Sequence, residues 1–196
     1  MNASMIQAAA LPALAMLVAA GPSRAQEAGE AVSVVDALNC RLTAPQYTGF
    51  ALSIGGEDGI AAQRKWQRIA STNPFMNEYE LPDRVVVAGG HETRRIGFTA
   101  SAIVALIDLA DPTDLARAEG IDNAVSAAPF GAASGFRKFL GERVLADVTQ
   151  KPGDTEEWGT HFVIAKTIST VTTHPGKTLY GCSYRIEVTD KDGNAL

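Results

Sequence analysis

Residues 178–188 read Thr-Leu-Tyr-Gly-Cys-Ser-Tyr-Arg-Ile-Glu-Val, and their alternation decides the fold class. Tyr180, Cys182, Tyr184, Ile186 and Val188 fall on one side of an extended chain, while Gly181, Ser183, Arg185 and Glu187 fall on the other. Period-2 patterning of this kind predicts a strand of an antiparallel sheet with one wet face. Immediately upstream, His174-Pro175-Gly176-Lys177 is a turn, and His161–Thr173 is dominated by Thr, Val and Ile, so 161–188 reads as a final β-hairpin.

Further upstream, Arg84–Ala88 and Thr93–Thr99 flank Gly89-Gly90 as a second hairpin. A short extended piece, Asn77–Leu81, precedes it. Ser101–Leu109 is mostly apolar and fits either a strand or a buried helix, because periodicity does not separate short apolar runs. Helical spacing appears at Val32, Val35, Leu38 and Leu42, and again over Ile60–Ala70 with Ala62, Trp66, Ile69 and Ala70 inward. Asp111-Pro112 opens a short helix that Gly120 stops. Phe50, Leu52 and Ile54 read as a half-buried strand, and Phe136, Phe139 and Leu140 as one or two helical turns before an extended piece, Arg143–Thr149. The sum is a single α+β domain over 26–189, an antiparallel sheet of about five to seven strands packed against two or three helices, with a polar tail over 190–196.

The N-terminal 25 residues read as a cleavable signal peptide. Ala8–Ala20 is apolar but too short to span a bilayer, and Ser23-Arg24-Ala25 supplies the small residues of a cleavage site. The segment before it carries no Lys or Arg, a departure from the usual pattern. Export to the periplasm, without a membrane anchor after cleavage, is the expectation. In that oxidising compartment two cysteines pair by default, so Cys40 and Cys182 are expected to form the one disulfide, with two buried free thiols as the alternative.

The formal charge is −5, and loss of Arg24 with the leader makes it one unit more negative. That balance disfavours nucleic acid and anionic lipid as partners. No catalytic, cofactor-binding or metal-ligating motif stands at diagnostic spacing. G-x-S-x-G is absent, His91-Glu92 lacks the second His of a zinc helix, and Gly55-Gly56 lacks a phosphate-loop lysine. Glu78 and Glu80 flank Tyr79 and point to the same side of a strand. His91, His161 and His174 could meet only through the fold. Trp66, Trp158, Phe75, Phe130 and Tyr79 could line a pocket, and Ile121–Gly135 exceeds an ordinary connection in length.

The leading reading is therefore a non-enzymatic periplasmic domain that binds a small apolar ligand or an envelope protein. Its rival is a secreted hydrolase whose site is assembled from distant residues, His91 with Glu78 or Glu80. A third reading, an interaction module working through an exposed strand edge, requires an unpaired hydrophobic edge strand.

Overall fold

The computed structural model describes residues 32–125, 136–153 and 156–196; the expected signal peptide, Phe130 and much of the long 121–135 connection lie outside them. Three short helices, α1 (Val34–Leu38), α2 (Ala44–Leu52) and α3 (Ile60–Gln63), come first. Strands β1 (Gln67–Ile69), β2 (Asn77–Val86), β3 (Glu92–Phe98) and β4 (Ala102–Ile107) follow, then α4 (Thr113–Glu119). Three long strands close the chain: β5 (Leu140–Gln150), β6 (Gly159–Ser169) and β7 (Thr178–Thr189).

All seven strands form one antiparallel sheet in the order β1-β2-β3-β4-β7-β6-β5. Two meanders, β1–β4 and β5–β7, are joined side by side through the β4·β7 pairing. The molecule is thus a single α+β domain, and 101–109 resolves as strand β4.

Helices α1 and α2 lie on one face of the sheet, over β4, β6 and β7. The main core fills that interface: Leu38, Tyr47, Phe50, Ile96, Ile103, Ile107, Ile168 and Tyr180 are all buried. Tyr47 stacks on Tyr184 with ring centroids 4.2 Å apart, and Tyr184 donates its hydroxyl hydrogen to the Ala37 carbonyl at 2.8 Å. Burial pushes the Tyr184 phenol up to about 12 and Tyr47 higher still, so both stay neutral. Cys40, just past α1, is bonded to Cys182 in the middle of β7, across a sequence separation of 142 residues.

Three local expectations are corrected. Residues 50–54 are not a strand: Phe50 belongs to α2, which the capping box Thr43-Ala44-Pro45-Gln46 initiates. There Thr43 Oγ1 accepts the Gln46 N–H and Gln46 Oε1 accepts the Thr43 N–H at 2.9 Å. The helix expected over 60–70 stops at Gln63, and Gln67–Ile69 is a strand. Lys65 adopts a left-handed φ of 56°, which turns the chain out of the helix. Residues 136–139 are not helical, and Leu140 already begins β5. The single wet face expected of β7 is also only half right. Gly181 and Ser183 are buried along with Tyr180 and Cys182, because a second apolar cluster of Met76, Val104, Leu106, Val171 and Leu179 covers the opposite face near the sheet centre. Toward its end the same strand leaves Ile186 and Val188 in solvent.

Candidate functional site

Strand alternation puts Tyr79 into the core and Glu78 onto the opposite face, against Gly97 of β3. The glycine matters there. A Cβ on Gly97 would stand 2.3 Å from Met76 Sδ, so its absence lets the 71–76 loop fold over Glu78 and bury it completely. The carboxylate accepts hydrogen bonds from Ser71 Oγ, from Arg95 at 2.6 Å and from His174 Nε2 at 2.8 Å. Burial alone would raise its pKa, yet these three donors together hold the carboxyl below its ordinary value. A carboxylate only accepts, so His174 carries its proton on Nε2, leaving Nδ1 3.0 Å from Thr173 Oγ1.

The rival hydrolase reading pairs His91 with Glu78 or Glu80; in the structure the imidazole on Glu78 is a different one. His91 sits at the β2–β3 turn, while the imidazole on Glu78 belongs to His174, in the loop between β6 and β7. Glu80 lies on the same side as Glu78 but is exposed. The three histidines do not converge. His161 is held on the long strands between Asp147 (2.7 Å) and Glu187 (3.5 Å), which raise its pKa. Among the described residues no group of His, Cys, Asp or Glu is arranged to hold a metal ion. Within the Glu78 cluster, the Ser71 hydroxyl and the His174 imidazole both bond to Oε1 of the same carboxylate. They are not paired as nucleophile and base, and the cluster reads as a buried knot tying two loops to the sheet.

The aromatic residues divide cleanly. Trp66 and Tyr79 pack against each other in the core with centroids 6.2 Å apart, whereas Phe75 and Trp158 are exposed.

Beyond His174 the 170–177 loop walls a cavity of about 310 Å³, together with Phe136 and Lys138. Val171 and Phe136 supply apolar surface; Lys138, Lys177 and Thr170 supply polar groups. Lys177 is ion-paired with Asp108.

At the other end of the sheet, the helix-covered face continues past the helices. Register places Val148 of β5, Phe162 of β6 and Ile186 of β7 side by side, one step beyond Tyr184 and its cover from Tyr47. Val148 is 53% exposed, and Val188, next along the same face, is 52% exposed. This row runs out to β5, an edge strand of 11 residues whose outer side pairs with no strand among the described residues. On the reverse face, by contrast, the charges neutralise one another: Arg185 bonds Glu142 at 2.8 Å and His161 bonds Asp147. Sequence reading named the type of site, an open hydrophobic edge, without placing it. Val144, Leu145 and Val148 in Leu140–Gln150 were its signal.

Compared with known proteins, the chain matches no family model, no curated protein and no solved structure, so function rests on these residues alone.

Proposed function

We propose that this protein is an exported, non-enzymatic interaction domain that works in the periplasm and takes up an extended segment of an envelope protein along β5. The carrying observation is the edge of β5 beyond Leu140, continuous with the apolar row Val148, Phe162 and Ile186, of which Val148 and Ile186 are exposed. Strand addition draws affinity from main-chain hydrogen bonds and selectivity from alternate side chains. Here β5 offers the unpaired backbone and the apolar row offers the side-chain seats. The Cys40–Cys182 bond supports an oxidising compartment, in line with the leader-like residues 1–25. No described helix is long and apolar enough to cross a membrane.

A photo-crosslinking amino acid placed at Thr149 on the edge, with Leu52 on α2 as the exposed control, tests the reading in cells. Discrete adducts from position 149 alone, suppressed by Ile186→Lys, are expected. Equal crosslinking from both positions, or adducts only between copies of this chain, would overturn it.

A further inference from the structure

The cavity beside His174 holds a hydrogen-bonding imbalance. Thr170 is 9% exposed, and its hydroxyl oxygen accepts the backbone N–H of Lys138 at 3.0 Å and of Phe139 at 3.0 Å. Those two bonds fill both lone pairs of the oxygen, while its one proton has no acceptor among the described residues. A nearly buried hydroxyl proton without an acceptor is costly unless something that enters the site takes it. The same cavity is lined by Lys138, whose ammonium has no carboxylate within salt-bridge distance among the described residues, and by Lys177. His174 presents no further donor from Nε2, which is committed to Glu78. Phe136 and Val171 supply the apolar part of the same lining.

We infer that this cavity binds a small organic carboxylate, its charged end bonded to the Thr170 hydroxyl and the Lys138 ammonium and its apolar body against Phe136 and Val171. The volume of about 310 Å³ sits at the small end of ligand sites, which restricts the occupant to a compact acid. A carboxylate accepts both donors at once, whereas a neutral apolar guest leaves the hydroxyl proton unpaired. The inference does not depend on the apolar row of Val148, Phe162 and Ile186, which lies toward the far end of β5.

Two-dimensional amide NMR titration of the oxidised chain with benzoate and with hexanoate, against benzamide and hexanamide, tests it. Saturable shifts confined to 136–139 and 170–177 are expected for the acids, with the amides at least about tenfold weaker. Lys138→Met should weaken the acids by about tenfold, and Thr170→Ser, which keeps the hydroxyl, should retain binding. Because Lys138 is exposed, the fold survives that change, and its amide spectrum verifies this. No saturable binding of either acid at millimolar concentration, equal affinity for acids and amides, or full affinity in Lys138→Met would each overturn the proposal.

Discussion

At the level of single residues, two helix ends show how much depends on φ. After α1, Cys40 N–H bonds the Ala37 carbonyl and Arg41 N–H bonds the Asp36 carbonyl, the Schellman pattern, with Cys40 at φ 59° where glycine is usual. After α3 the pattern repeats: Lys65 N–H to Ala62, Trp66 N–H to Ala61, with Lys65 left-handed. Such a conformation costs a residue with a Cβ roughly 1 kcal/mol. At Cys40 the disulfide compensates; Lys65 has no such tie. Lys65→Gly is therefore expected to raise stability by about 0.5 to 1 kcal/mol, read as a higher urea midpoint. Without glycine the stop was invisible in sequence, which is why a helix over 60–70 looked continuous, whereas Gly120 marked the end of α4 correctly. Glu78 makes a second prediction. Its folded carboxyl lies below its ordinary value of 4.5, so ionised Glu78 stabilises the fold above that pH and the contribution is lost as pH falls through the lower folded value. Glu78→Gln should cost about 3 kcal/mol at neutral pH, since it removes the charge that Arg95 and His174 surround. Its stability should then fall less steeply than wild type on acidification below pH about 4.5, measured by denaturant titration across pH.

Elements were legible where local chemistry and burial agreed. The hairpin of β2 and β3 and the long β7 followed from alternation and from Gly89-Gly90, both of which have positive φ. Strand 50–54 misled because Phe50, Leu52 and Ile54 alternate, yet Tyr47, Phe50 and Ile54 also fit helical spacing, and Leu52 is 82% exposed. The deciding signal was the Thr43–Gln46 capping box. Thr43→Ala is expected to cost about 1 kcal/mol, seen as a lowered melting temperature. The candidate edge was half legible: β6 and β7 were evident, but that β5 is the outermost strand is a matter of topology, and the acid on His174 could not be assigned because residues 78 and 174 meet only through the sheet. Across the three long strands, His161 bridges Asp147 of β5 and Glu187 of β7. Its pKa is raised above the ordinary 6.5, so the charged ring stabilises this end of the sheet below that pH and the support fades as pH rises through the folded value. Relative to His161→Gln, amide-exchange protection around Asp147 should be greater at pH 6 than at pH 9; a gap unchanged by pH would exclude the bridge as its source.

For the molecule as a whole, the disulfide and the sheet order act together. Cys40–Cys182 closes a separation of 142 residues, for which the loop-entropy model gives about 5 kcal/mol. A Cys40→Ala/Cys182→Ala chain is expected to lose about 3 to 5 kcal/mol, measured by urea unfolding without reductant. Composition and cysteine count gave access to that staple, while strand order left no mark in local sequence, since β4 and β7 pair over a span that no turn signal covers. That order has a temporal side. The strand that joins the two halves of the sheet, β7, is the last of the seven to be synthesised. Until it arrives, β1–β4 and β5–β6 have no shared neighbour, and Cys40 waits without its partner. Under the proposed export, a chain threaded N-terminus first keeps its two half-sheets unjoined until β7 has passed, a delay that favours translocation over premature folding.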